Sequence, residues 1–237
     1  MQLLIDVGCA LFGYLLGSIP VGLIIVKLKT GKDIRAVESG RTGGTNAMRA
    51  AGLPVGLLTA FLDILKSAAA VWIVQFFLPA DHWAHVLAPI GAILGHNYSV
   101  YLPEFDANGR FVRLRGGAGG APALGGAIGL WPPALLIIVP MGAMVFFGLG
   151  YASLTTISVG LFAVLIFGMR AYYGMPDANW IDAAYGLIAA CLLAWALRPN
   201  IRNLFRGTER VVSISLHGRL KAKQEQLEAS DAVNDIE

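Results

Sequence analysis

The chain is short of charge. Asp, Glu, Lys and Arg make up 14% of its 237 residues, where an ordinary soluble domain carries about a quarter. So few charges cannot cover a globule in water, and a soluble domain with one large core is excluded because its polar outer faces are missing. Cysteine is scarce as well. Cys9 and Cys191 are the only two; both sit in apolar runs, and they offer neither a disulfide framework nor a metal-ligand spacing. Histidine is limited to His82, His85, His96 and His217, and none has an aspartate five residues on, which excludes HxxxxD chemistry. No metal, cofactor or nucleic-acid partner is expected. The stretch Met1–Asp6 contains no Lys or Arg, so it lacks the basic start of a secretory signal. The run Leu11–Val26 therefore reads as a retained first span.

What the chain has instead is apolar length. Hydrophobic residues account for 56% of it, gathered into runs nearly free of charge. A helix needs about 20 residues to cross a hydrocarbon core of about 30 Å. On that basis the sequence predicts an all-α polytopic membrane protein with seven spans near 4–26, 55–78, 84–102, 118–130, 132–149, 152–169 and 180–197. The fourth is short and glycine-rich. Trp131-Pro132-Pro133 separates it from the fifth as a tight turn with an interfacial tryptophan. With the N-terminus outside and the C-terminus cytoplasmic, sixteen of the eighteen basic residues fall on the inner side. Only Arg170 stays out, and Lys66 lies within a span. Six spans would split the basic segments between the two faces, so the positive-inside rule favours seven. Residues 1–210 form one transmembrane domain and 211–237 a polar cytoplasmic tail, either a short solvated helix or a disordered end.

Three inner-face segments carry candidate chemistry. In 31–52, Ser39-Gly40-Arg41-Thr42-Gly43-Gly44-Thr45-Asn46 leads to Arg49 on a new helix. Glycines let backbone N–H groups converge on an anion, a helix start adds a favourable dipole, and Arg49 offers a planar fork for phosphate. A capped juxtamembrane loop with ordinary inner-face charge fits the same residues. In 115–126, six glycines follow Arg115 within eleven residues, either as an anion-lining backbone or as a flexible loop entering a glycine-tolerant helix. In 198–209, Arg198 and Asn200 sit where the last span meets the cytoplasm, with Arg202 and Arg206 one helical turn apart, where they can face anionic lipid. Asp63 and Lys66, at i and i+3 early in the second span, read as an internal ion pair. His96 is either a general base or a hydrogen-bonded packing histidine.

Taken together and in order, these segments resemble the bacterial integral-membrane, acyl-phosphate-dependent glycerol-3-phosphate acyltransferases. The likeness runs from Gly17-Ser18-Ile19-Pro20 and Gly22, through Asp33-Ile34-Arg35, Ser39-Gly40, Thr45-Asn46 and Arg49, to Asp63, Leu65-Lys66 and Leu94-Gly95-His96. It continues at Ser153-Leu154 and Ile157 and ends at Asn200-Ile201 and Gly207-Thr208-Glu209. The resemblance implies transfer of a fatty acyl group from acyl phosphate to the 1-hydroxyl of glycerol 3-phosphate, giving lysophosphatidic acid and phosphate without a cofactor. Its substrates would be those two molecules, in a bacterial plasma membrane whose lipids surround the chain. It implies Ser39, Arg49 and Asn200 as catalytic residues. Arg41, Gly43, Thr45, Asn46, His96, Gly116, Gly117, Gly119, Ser153 and Arg198 would bind substrate.

The sequence also departs from that pattern. Ala118 stands where the family's glycine loop has lysine, Pro122 where it has threonine, Leu197 where it has histidine, Arg41 where it has asparagine, and Ser67 follows Lys66 in place of glycine. The segment 106–114 reads as an insertion. Arg41, Arg113 and Arg115 are the candidates for restoring the lost charge. Two rival readings stay open: a catalytically silent or substrate-shifted relative that binds lipid or a partner protein, and a small membrane transporter.

Overall fold

A computed structural model describes residues 1–234, most of them in helices. Among the described residues, three helical stretches are long and apolar enough to cross a membrane: Gln2–Thr30, Leu53–Phe77 and Ala152–Tyr172. The first is two helices in series, α1 (Gln2–Ser18) and α2 (Val21–Thr30). The break falls at Pro20, which has no N–H to give and cannot continue a helix from within. Carbonyls freed at the break find other donors. The Ser18 oxygen accepts from the Ser99 hydroxyl, and the Ile19 oxygen accepts from Lys66 Nζ at 3.0 Å.

After a 3₁₀ turn at Ile34–Ala36 come α3 (Gly44–Ala51), α4 (Leu53–Phe77) and α5 (His82–Asn97). Helices α1 and α5 pack backbone to backbone. Gly13 and Gly17 face Ala88 and Ala92, while Gly91 and Gly95 face Ala10 and Tyr14; a Cβ on Gly17 would lie 2.2 Å from the Ala92 oxygen. Glycines four apart on both helices are the small-xxx-small arrangement by which membrane helices approach closely. The contact fixes the height of His96, one residue beyond Gly95.

Helix α6 (Gly120–Leu130) is short and packed on α4, with Gly125 against the Ile64 carbonyl. The chain turns at Trp131-Pro132-Pro133 into α7 (Ala134–Leu149), then forms α8 (Ala152–Tyr172) and α9 (Trp180–Ala196). Arg170 lies over the Trp131 ring at 4.0 Å, pinning the end of α8 to that turn. Helix α10 (Arg198–Phe205) leaves α9 at 69°, with Pro199 in its first turn. The final helix, α11 (Leu216–Asn234), is reached through Val212, whose N–H donates to the Gly150 oxygen at 2.8 Å. Residues 235–237 of the expected polar tail lie outside the described residues.

The expectation of an all-α chain needs one correction. The apparent insertion and the three residues before it form an antiparallel hairpin, β1 (Pro103–Phe105) and β2 (Phe111–Leu114). Asp106 Oδ1 accepts from the N–H groups of Asn108 and Arg110, and Gly109 takes φ +74°. That side-chain turn, with Phe105 and Phe111 stacked edge to face at 6.2 Å on either side, closes the ribbon.

Candidate active site

The loop between α2 and α3 is held by a single buried amide. Asn46 Nδ2 donates to the carbonyls of Ile34 at 3.1 Å, Val37 at 3.0 Å and Arg41 at 2.8 Å. Three acceptors around one atom identify that end of the amide as nitrogen. The next tie is Thr42 N–H to the Gly116 oxygen at 3.2 Å, and the third is Gly117 N–H to the His96 oxygen at 2.8 Å. The first loop, the glycine loop and the end of α5 are thereby fastened into one wall.

That wall, the start of α8 and the α9–α10 bend enclose a cavity of about 410 Å³. Ser39, Arg41, Gly43, Thr45, Asn46, Arg49, His96, Gly119, Ser153 and Asn200 all line it. Gly116, Gly117 and Arg198 do not. The two glycines serve the packing behind the wall. A Cβ on Gly116 would lie 2.2 Å from the His96 oxygen, and one on Gly117 would lie 2.0 Å from His96 Nε2. Arg198 is turned outward over the Trp195 ring at 4.5 Å and donates to the Trp195 oxygen. Of the three arginines proposed to restore charge, only Arg41 reaches the cavity. Arg113 is on the exposed hairpin with Glu104, and Arg115 is turned to Glu104 and Gly40.

Three helices begin at this cavity, and none has a side-chain cap. Helix α3 starts after Gly43, α6 after Gly119 and α8 after Tyr151. Their first residues, Gly44 and Thr45, Gly120 and Ala121, Ala152 and Ser153, all face it. Each uncapped start leaves backbone N–H groups without an intrahelical acceptor and carries about half a positive charge. Side chains add to this field. Arg41 is half-buried, makes no ion pair among the described residues, and donates from one Nη to the Ala196 oxygen at 3.0 Å. Burial pulls its pKa below the ordinary guanidinium value, which Glu209 partly offsets; arginine stays charged regardless. Its contact is with the peptide directly before Leu197, so an arginine arrives from the first loop beside that residue.

The acidic residues in the wall are each engaged. Asp63 meets Lys66 Nζ at 2.8 Å and His96 Nδ1 at 3.4 Å, with all three groups buried. The i, i+3 pairing read from sequence is present, and His96 joins it as a third member. Glu209 Oε1 accepts from Ser153 Oγ at 3.0 Å and from Asn200 Nδ2 at 2.9 Å. Glu38, in the left-handed region at φ +46°, pairs with Arg210 and so brings the segment after α10 across the opening. That pairing holds the Glu38 carboxyl below its ordinary pKa. Sequence reasoning missed Glu38, Asp63, Glu209 and Arg210 as cavity residues. Glu209 had a signal, since it ends the last motif quoted for the resemblance; Glu38 and Arg210 had none. Among the described residues no group of three His, Cys, Asp or Glu side chains is placed to hold a metal ion.

With this geometry in hand, comparison with known proteins is direct. Residues 7–207 match the family model described as glycerol-3-phosphate acyltransferase. A glycerol-3-phosphate acyltransferase of Thermus thermophilus is 36% identical over 200 residues, 84% of this chain and 92% of that one. One from Rhodopseudomonas palustris is 35% identical over 205 residues, 86% of this chain and 95% of its own. Two crystal structures of PlsY (YgiH), an integral membrane glycerol 3-phosphate acyltransferase, share the fold. The glycerol 3-phosphate form has a TM-score of 0.71 at 31% identity, covering 87% of this chain and 94% of that one. The lysophosphatidic acid form has a TM-score of 0.72 at 28% identity, covering 88% and 96%.

Proposed function

The chain belongs to the glycerol-3-phosphate acyltransferase family, and on that premise we propose that it transfers a fatty acyl group from acyl phosphate to the 1-hydroxyl of glycerol 3-phosphate. The observation that carries this reading is the convergence of three uncapped helix starts with Arg41 and Arg49 on one cavity. Both substrates are phosphate-bearing anions, and one product is phosphate itself. A cavity of this size is ordinary for small-molecule sites.

In the reaction the glycerol hydroxyl oxygen bonds to the acyl carbonyl carbon. The bond from that carbon to the phosphate oxygen breaks, and its electron pair leaves with phosphate. The hydroxyl proton passes to the departing phosphate, so no protein base is required. Because acyl phosphate is already activated, the protein's work is to bring two anions together and offset their repulsion. Ser39, the Thr45 N–H and the backbone at Gly119 receive the acyl-phosphate head. Arg49, Arg41, Ser153 and Asn200 receive glycerol 3-phosphate. Glu209 orients the last two by accepting from both. Asn46 acts through the loop it ties.

The same reading includes seven crossings, an outer N-terminus and a cavity open to the cytoplasm. The basic-residue bias supports it. Helix α6 has only 11 residues, about 16 Å at 1.5 Å each, too short for a span by itself. Its start lies on the cavity wall, so the crossing begins at the recessed floor of the site. Purified protein in nanodiscs, given acyl phosphate and glycerol 3-phosphate, should release lysophosphatidic acid and phosphate in equal amounts. Binding of either substrate without product would reject the enzyme in favour of a silent relative, for which Ala118 and Leu197 in the cavity wall are the pointers.

A further inference from the structure

The hairpin of 103–114 takes no part in the cavity, yet it joins the helices that present His96 and Gly119 to it. Cross-strand partners share a face. Glu104 opposes Arg113, and Phe105 opposes Phe111; Val112 is the extra residue of a bulge between these pairs. The bulge switches the alternation, so both phenylalanines lie on one face and the Glu104–Arg113 pair on the other. Phe105 is 57% exposed, Phe111 60% and Val112 55%. An aromatic face this open at the polar end of a helix bundle calls for a partner.

The base of the hairpin says where it is held. Ser99 N–H donates to the Arg115 oxygen at 2.9 Å, and Arg115 N–H donates to the Leu102 oxygen at 3.0 Å. Ser99 also bonds to Ser18 at the α1 break. The ribbon is thus tied just beyond the end of α5 and to the break between α1 and α2. Its longer strand has four residues, about 13 Å at 3.3 Å each, and each interfacial layer of a bilayer is roughly 5–8 Å deep. Upright, the ribbon would overrun that layer; laid flat along the membrane surface, it stays within it. Its charge fits that layer. Glu104 is engaged by Arg113 and Arg115, Asp106 is spent on the turn, and Arg110 is in no ion pair among the described residues.

The geometry points to this hairpin as a lipid-docking element. Phe105, Phe111 and Val112 sit at the headgroup–acyl boundary, and Arg110 and Arg113 contact the phosphates of anionic lipids beside the cavity. This goes beyond the acyl-transfer reading and does not depend on it. Arginine stems bury their methylenes while the guanidinium reaches phosphate, and aromatic rings favour the same depth.

The test uses the full chain in nanodiscs with both native cysteines replaced, Cys9→Ala and Cys191→Ala. Val112→Cys then carries an environment-sensitive dye while the ring pair stays intact. The expected result is blue-shifted emission, quenched by lipids bearing a nitroxide near the acyl carbonyl. Water-like, unquenched emission would overturn the proposal. It would also do so if a soluble protein, and not lipid, produced the shift. Adding Phe105→Ser and Phe111→Ser should abolish the quenching. Adding Arg110→Ala or Arg113→Ala should lower the docked-to-solvated ratio about fivefold per arginine in phosphatidylglycerol discs and little in phosphatidylcholine discs. Equal loss in both lipids would remove the phosphate contact from the proposal.

Discussion

Replacing Asn46 separates a residue that holds the site together from one that touches substrate. In the structure its side-chain nitrogen serves three backbone carbonyls of 34–41, while its oxygen has no donor. Asn46→Asp keeps the shape and removes the donor, placing carboxylate oxygens against carbonyl oxygens. The Ile34 and Val37 carbonyls keep their backbone donors, the Val37 and Gly40 N–H groups, so each loses one bond of about 1 kcal/mol, and the part-buried Arg41 carbonyl loses about the same. The sum is roughly 3 kcal/mol. At roughly 2–4 °C per kcal/mol for a chain of this size, the thermal midpoint should fall by about 6–12 °C. Asn46→Ala should fall by a similar amount, because it too removes the donor. The assay is thermal unfolding in nanodiscs alongside KM for each substrate. A normal midpoint in Asn46→Asp with only a raised KM would refute the reasoning and make Asn46 a substrate contact.

Three further outcomes follow from the same geometry. Arg41→Ala should raise KM for glycerol 3-phosphate by about 10–100-fold, the worth of one charge-assisted contact of about 1.5–3 kcal/mol, with the fold unchanged; an unaltered KM would take Arg41 out of the site. Asp63→Asn leaves buried Lys66 unpaired, a loss of about 3–5 kcal/mol. Little folded protein should accumulate, and adding Lys66→Met should recover it, as read by monodisperse yield after extraction. The Glu38–Arg210 pair should hold the segment 207–212 against proteolysis at neutral pH. Pairing lowers the Glu38 pKa, so the contact is present above the ordinary carboxylate range and lost as pH falls through the lowered value. Loss near pH 7 would assign the closure to another group.

Much of this was legible in the chain. Apolar runs and the Trp131-Pro132-Pro133 turn anticipated where α4 to α9 lie, because burial in lipid leaves its mark on every residue of a helix. Asp63 and Lys66 were legible as a pair because helical spacing alone brings i and i+3 together. The break between α1 and α2 was in plain view as Pro20 but lay inside an uninterrupted apolar run. Strands of three and four residues are too short to show a period, so the segment 106–114 read only as an insertion. Gly116 and Gly117 looked like anion-binding backbone. A glycine needed for close packing on His96 and one needed for a phosphate are identical in a sequence. Glu38 and Arg210 are 172 residues apart, and only the fold puts them at one opening.

The three uncapped helix starts bear on how such a site changes over time. Their field comes from peptide groups, which no point substitution except one to proline deletes and no accessible pH titrates. A lineage can exchange individual side chains, as at Ala118 and Leu197, and keep an attraction for anions while its preference among them drifts. The backbone here works as a fixed background voltage, and residues such as Arg41 set the tuning above it.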